Sequence, residues 1–504
     1  MLESVQEGSP TQRGPTGLPP SAPGETLGDP SAGAIAIRGS VLRSGGYALG
    51  VLLSLISVPL LIRHLGLDEF GAYVTIVAVA TIVSLLSDLG LTSLGVREWV
   101  QRDEAGRARL MHDLLGARLA FAAIGCAGAM IFALAAGYDG HRLLGTAVAC
   151  VGVVIQGVQT SLTVPLAGRL KQGVITAAEL LRQATLVALI VALVIAGAGL
   201  VPLLAALIPA ALVSLLFTAG RAREGLVMPA FHPRHWSDLL RGTVPFAAAI
   251  AVNIIYFRLT MIVTSLVANA TQSGEFAVAF RVLEVLVTVP ALLLSALFPV
   301  FAHAAVADRE RLRSALQRTS ETAVTVGALT SVVVAAGAPL AVLVLSGGTP
   351  SGAVWALRIL AVGLGFAFLG VTAQFGLLSI HAHRPILIVN LTVLPLNALL
   401  TALLAPDHGA IGAAIALATS EIVLALATTT LLYRAIGAPS PDRSLLVRLA
   451  GVVIVGAGAI VLLSPTGVVL PAVLVPLVTL AAAAGLRVLP HEALAALRSR
   501  DRAT

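Results

Sequence analysis

The sequence predicts an all-α polytopic membrane protein of about fourteen transmembrane helices. They form two six-helix lobes related by a pseudo-two-fold axis along the membrane normal, followed by two C-terminal helices. Three observations carry that expectation. The first is the apolar run 45–62, broken only by one Tyr, one Pro and scattered Ser, which at about 1.5 Å per residue can cross about 30 Å of hydrocarbon. The second is composition: 57% of the 504 residues are hydrophobic and 11% charged, whereas soluble domains carry about a quarter charged. The mean hydropathy is +0.96. The third is the placement of the basic residues.

In chain order, residues 1–37 are rich in Pro, Gly, Ser and Thr without an apolar block, so they read as a disordered cytoplasmic tail and not as a signal peptide. Apolar length then predicts helices at 45–63, 70–94, 114–137, 142–167, 174–198 and 201–219, which make an N-lobe over 38–220. A cytoplasmic linker over 221–242 leads to helices at 243–268, 276–302, 319–345, 352–380, 384–405 and 409–434, a C-lobe over 243–435. Helices 445–464 and 468–487 occupy 436–487, and 488–504 is a second cytoplasmic tail.

With the N-terminus inside, the outer turns hold only Arg63 and Arg142 among 32 Lys and Arg. Arg182, Arg258, Arg281 and Arg358 lie deeper in helices, and all the others sit in inner turns, the helix ends beside them or the tails. This asymmetry predicts an even helix count, both termini cytoplasmic, and residence in the cytoplasmic membrane. The net charge of +7 is therefore read as topological and not as a nucleic-acid surface. The two cysteines, Cys126 and Cys150, lie inside apolar runs and signal neither a disulfide framework nor a metal site.

An internal repeat supports the two lobes. LDEFGAYVTIVAVATIVSLLSDLG matches SGEFAVAFRVLEVLVTVPALLLSA 206 residues later, placing Glu69 and Phe70 on Glu275 and Phe276. Six helices separate the copies, so both enter the membrane in the same orientation.

Nothing reads as an enzyme. The ten histidines lie in loops, tails or helix ends, with no H-E-x-x-H spacing, phosphate loop or paired carboxylates; no catalytic residue, metal or cofactor is expected. Attention passes to charges at membrane depth, each costing at least about 2.5–3.5 kcal/mol if unpaired near the centre. Arg258 and Glu284 fall at similar depths, roughly 15 and 12 Å from the outer surface by helical rise, and Arg281 lies one turn from Glu284 on the same face. One acid between two arginines leaves positive charge for an anion such as a diphosphate. The competing reading is a structural charge pair with the second arginine snorkelling outward.

A polar stripe of Asn253, Tyr256, Thr260 and Thr264 lies about 200° around the helix from Arg258, so stripe and arginine face different ways. Sugar contact and interhelical hydrogen bonding both suit the stripe. Arg63 breaks the charge asymmetry at the outer end of the first helix, where it either meets substrate or snorkels beside Asp68 and Glu69. Glu421, about 18 Å deep by helical rise, is a candidate to exchange a coupling proton, or else packs through a hydrogen bond. Asp88 and the Glu179/Arg182 pair read as structural.

The runs PLLIRHLGLDEFGAY, YFRLTMIVTSLVANATQSGEFAVAFRVLEVLVTVPALLLSALFPV and HGAIGAAIALATSE resemble the polysaccharide-export, lipid-linked oligosaccharide flippase branch of the multidrug, oligosaccharidyl-lipid and polysaccharide exporter superfamily. The resemblance spans roughly 38–435. It implies alternating access of two lobes that carries a lipid-linked oligosaccharide, a cell-envelope or peptidoglycan precursor on a polyprenyl diphosphate, from inner to outer leaflet. It also implies contact with membrane lipids, a possible proton or sodium coupling ion, and work alongside glycosyltransferases and a polymerase or ligase. Fourteen helices resembles the lipid II flippase subgroup, whose extra pair is associated with a groove for the lipid tail. The chain departs from a frequent family pattern at Thr260, where an Asp often stands. A cation-coupled multidrug exporter is the alternative, disfavoured by the 4% aromatic content and the positive buried charge. A scaffold that recruits proteins through its tails finds little support in a tail without a large domain.

Overall fold

The computed structural model describes residues 30–231, 236, 244–437, 442–486 and 488. Among these no strand occurs. The helices are α1 (Pro30–Asp88), α2 (Leu91–Gln101), α3 (Glu104–Ala135), α4 (Gly140–Gly168), α5 (Gln172–Ile195), α6 (Leu200–Ala205) and α7 (Leu207–Ala219). After these come α8 (Val244–Val267), α9 (Ala270–Ala307), α10 (Arg309–Ser346), α11 (Ser351–Ser379), α12 (His383–Ile436), α13 (Arg443–Leu463) and α14 (Val469–Gly485).

The two longest helices are each broken at a glycine outside helical space. Gly66 (φ 75°, ψ 177°) divides α1 and Gly409 (φ 55°, ψ −129°) divides α12, at the turns expected after the first and eleventh spans. Positive φ strains any residue with a Cβ, so glycine is the residue that permits both breaks. Among the described residues ten helices qualify as membrane spans by length and hydropathy, against the fourteen expected. The difference comes from the two broken helices, each counted once, from α8, of which only the stretch Ile254–Val267 enters the count, and from the shorter apolar helix Val469–Gly485.

Helix starts differ from hydropathy. α3 begins at Glu104, not 114, because the Asp103 side chain accepts from Gly106 N at 3.0 Å. α9 begins at Ala270, not 276, with Asn269 accepting from Gln272 N at 2.8 Å. α10 begins at Arg309, not 319, with Asp308 accepting from Glu310 N at 2.8 Å. These caps satisfy amides that would otherwise be orphaned at a helix start. Charged turns thus continue the helices beyond the apolar span. α1 likewise starts at Pro30, inside the segment that composition assigns to the tail; Pro suits a first helical position, where no amide is needed. The rest of that expected tail, 1–29, lies outside the described residues, as do most of the linker after 231 and nearly all of the C-terminal tail. The second span ends at Asp88, not 94, because Leu89 (φ 38°) and Gly90 (φ 81°) turn left-handed and the short helix α2 follows.

In lipid, helices gain little from burying apolar surface against one another, so close packing decides association. The α11–α12 contact shows it. A Cβ on Gly363 would lie 3.0 Å from the Cα of Ala418, and one on Gly370 3.2 Å from the Cα of Ala425, so two small pairs seven residues apart bring the backbones together. Bulkier residues at 363 or 370 would drive the helices apart. α11 also packs on α9 and α10, while α13 and α14 pack on each other and on α10. From the N-terminal half α1 makes the principal contacts across to α8, α9 and α10. There Val58, Leu61, Ile62 and Phe70 share one buried cluster with Met261, Phe276, Phe280 and Leu283.

Candidate functional site

α8 sorts its polar residues onto two faces, and the structure decides which faces what. Arg258 points to α9, where its Nη2 donates to Glu284 Oε1 at 2.5 Å. Arg281, three residues before Glu284 on α9, donates from Nη1 to Glu284 Oε2 at 2.6 Å. Each carboxylate oxygen therefore holds one guanidinium. The side chains are 18% (Arg258), 20% (Glu284) and 29% (Arg281) exposed, partly sequestered yet reachable. One negative charge against two positive leaves the cluster cationic, and arginine keeps its charge in proteins. The Nε of Arg281 is buried without a hydrogen-bond partner, which is uncommon for a buried donor. Tyr73 of α1 lies within electrostatic reach of Arg281, so the opposite half of the chain approaches the cluster.

The other face of α8 meets α12. Thr260 is fully buried and its hydroxyl donates to Asn397 Oδ1 at 2.8 Å. Thr264 donates to the Thr260 carbonyl at 2.6 Å, and Thr401 to the Asn397 carbonyl at 2.8 Å. Asn397 Nδ2 has no partner. Tyr256 and Glu421, 2% and 8% exposed, are buried near each other, and the Tyr256 hydroxyl has no hydrogen-bond partner. Within the stripe Thr260 thus makes an interhelical bond to α12 inside the C-terminal half. The side chain of Asn253 lies outside the described residues.

Arg63 is not brought to the cluster. It is exposed, and its Nη2 donates to the Val344 carbonyl in the last turn of α10 at 2.6 Å. The Arg182 Nε donates to both Glu179 oxygens at 3.1 and 3.2 Å, a local pair within one turn. Asp88 pairs with Arg118, the residue that sequence reasoning passed over. Arg118 is 2% exposed and also donates to Thr92 Oγ1 at 2.7 Å, Ser161 Oγ at 3.1 Å and the Gly157 carbonyl at 3.3 Å. Its position near an expected helix start made it one more basic residue of the inner surface. Asp88 at the mouth of a predicted helix was the available signal, because a carboxylate there calls for a partner. Among the described residues no three His, Cys, Asp or Glu side chains gather as a metal site.

Residues 36–305 match a family model described as polysaccharide biosynthesis protein. No curated protein matches the sequence. Among solved structures, the chain is similar to lipid II flippase MurJ in an inward closed conformation, at 13% identity and a TM-score of 0.69, covering 87% of this chain and 98% of that one. It is also similar to a multidrug resistance MATE family transporter of the MOP superfamily in an inward-facing conformation, at 16% identity and a TM-score of 0.64, covering 79% and 98%. A MOP superfamily transporter from Pyrococcus furiosus, described as having a binding pocket of reverse polarity, matches at 17% identity and a TM-score of 0.54, covering 81% and 96%. The fold is that of these multi-pass membrane transporters.

Proposed function

This chain belongs to the polysaccharide biosynthesis protein family, and we propose that it is a flippase moving a polyprenyl-diphosphate-linked oligosaccharide from the inner to the outer leaflet of the cytoplasmic membrane. The observation that carries this reading is the Arg258–Glu284–Arg281 cluster with its surplus guanidinium charge. A diphosphate crossing a low-dielectric interior needs fixed positive partners, and the planar fork of arginine meets phosphate oxygens in pairs. In this reading Arg281, bonded through one terminal nitrogen, takes the phosphate, and Arg258 stays held by Glu284. Residues 38–220 and 243–435 rock as two lobes about the cluster while the lipid tail remains in the bilayer.

The test is flipping of a fluorescent polyprenyl-diphosphate oligosaccharide in proteoliposomes of purified protein. Transport is expected to require the diphosphate and to be outcompeted by unlabelled carrier diphosphate. Equal transport of a neutral glycolipid of the same length would remove the reading. A cation-coupled exporter keeps one observation in its favour: Glu421 is a buried carboxyl near Tyr256, with no salt bridge to it among the described residues. Under the flippase reading that carboxyl is the candidate for proton or sodium coupling. Imposing a proton or a sodium gradient across the same vesicles separates the two ions.

A further inference from the structure

We infer that the outer side of the molecule is shut by a direct backbone contact between the two copies of the internal repeat, Gly71 against Gly274, and latched by Arg63 on the C-terminal turn of α10. The inference rests on the alternating-access reading and adds the device that opposes outward opening.

Three observations converge on it. Gly274 is the fifth residue of α9, with the second arm of α1 directly against it: a Cβ there would overlap the Leu67 carbonyl oxygen and sit 2.5 Å from its carbon. Seen from the other side, a Cβ on Gly71 would stand 2.9 Å from Gly274 N and 3.1 Å from its Cα. Both glycines have room for a side chain in an isolated helix; neither has it with the outer ends together. Next, the touching segments are equivalent ones. Leu67–Gly71 and Ser273–Ala277 occupy matching positions in the repeat, and Phe70 and Phe276, one from each copy, are 1% and 0% exposed in the same buried cluster. The contact therefore sits where the two halves relate to one another and opens from both sides at once. Last, Arg63 reaches across from α1 to Val344 O at 2.6 Å, beside the left-handed Gly347 that ends α10. Carbonyls in a last helical turn lack helical partners, and a cation there is favoured by the helix dipole. The bond spans two parts that must separate for release outward, so it contributes only while the outer side is shut. Arg63 is accordingly a positioning residue for the closed state and not a ligand for substrate.

Spin labels placed on exposed Asp68 and Ser351 in a cysteine-free variant read the outer distance, and labels on exposed Ala108 and Glu310 the inner one, in nanodiscs. The wild type is expected to show a short outer distance. Gly274→Val shifts the population to a long outer distance by about ten-fold or more, and Gly274→Ala with Gly71→Ala does so should the valine variant not fold. Arg63→Gln shifts it by about five-fold, and Arg63→Lys by less, because the charge is kept. In the Gly274→Val background Arg63→Gln adds nothing, since the latch has no closed state to hold. A short outer distance that persists in both glycine variants overturns the proposal, and so does an equal effect of Arg63→Gln in both backgrounds. A different result defeats the underlying reading: outer and inner distances that never change in opposite directions, in any variant.

Discussion

Two arginine clusters divide the labour of buried charge in this protein, one in each half. In the N-terminal half Arg118 is almost fully enclosed and spends its donors on Asp88, Thr92, Ser161 and a backbone carbonyl. In the C-terminal half Arg258 and Arg281 share the single carboxylate of Glu284 and stay partly exposed. The first cluster is balanced in charge and ties α1, α2, α3 and α4 together, although Arg118 Nε is buried without a partner and the Asp88 side chain is 35% exposed. The second has one charge too many and an approach from outside. The same side chain serves as a strut or, in the function proposed above, as a site according to the ratio of acids to bases and to what can reach it.

The comparison breaks most decisively at Arg118. Arg118→Met leaves Asp88, 35% exposed, without its ion partner and removes three further bonds, a loss of about 1–3 kcal/mol. Folded protein recovered in detergent and its melting temperature should fall together, with transport lost only in proportion to folded protein. An Arg118→Met protein that is fully folded yet inactive would move the site to the N-terminal half.

Arg281→Ala should do the opposite. Flipping in proteoliposomes should drop at least about ten-fold, equivalent to about 1.4 kcal/mol of transition-state binding, while insertion and melting stay near wild type. Arg281→Lys should be intermediate, keeping charge without the fork. Wild-type flipping by Arg281→Ala would dissolve the distinction between strut and site.

A sharper division within the C-terminal cluster comes from Glu284→Gln. It frees both arginines and should lower transport several-fold and stability slightly. Adding Arg258→Gln should restore stability above either single variant, and the coupling energy in a double-mutant cycle of melting data reads it, typically 0.5–3 kcal/mol for contacting residues. The smallest effect is expected on the stripe. Thr260→Val removes one neutral hydrogen bond to Asn397, worth about 1 kcal/mol, and should leave flipping rates within about two-fold when corrected for folded protein.

Some of this is readable in the sequence alone. Arg281 and Glu284 are three apart, a spacing that puts them on one face of any helix, and counting depth from the outer end brought Arg258 level with them. Periodicity also separated Arg258 from the stripe. It could not name the neighbour of each face, because helical angles are internal to one helix and the partner depends on which of several helices packs there. Arg118 shows the same limit more severely. Its partner lies thirty residues earlier at the end of α1, joined to it only by the left-handed turn at Leu89 and Gly90. α2 escaped notice because its eleven residues carry Arg97 and Glu98 and so lack an apolar span. The early starts of α3, α9 and α10 were missed because hydropathy measures the lipid-facing part of a helix and is blind to capped, charged turns outside it.

The meeting of Gly71 with Gly274 also bears on inheritance. Two copies of a duplicated segment ordinarily drift apart, each answering only to its own surroundings. Copies that touch are one another's surroundings, so a bulky replacement in one removes space from the other. Beside the contact the repeat keeps Glu69-Phe70 and Glu275-Phe276 identical, while Gly71 and Gly274 are themselves matched to Ala277 and Asp68. Across relatives, positions 71 and 274 are expected to remain small together. A set of functional relatives with a large residue at one and any residue at the other would show that the two turns are free to change separately.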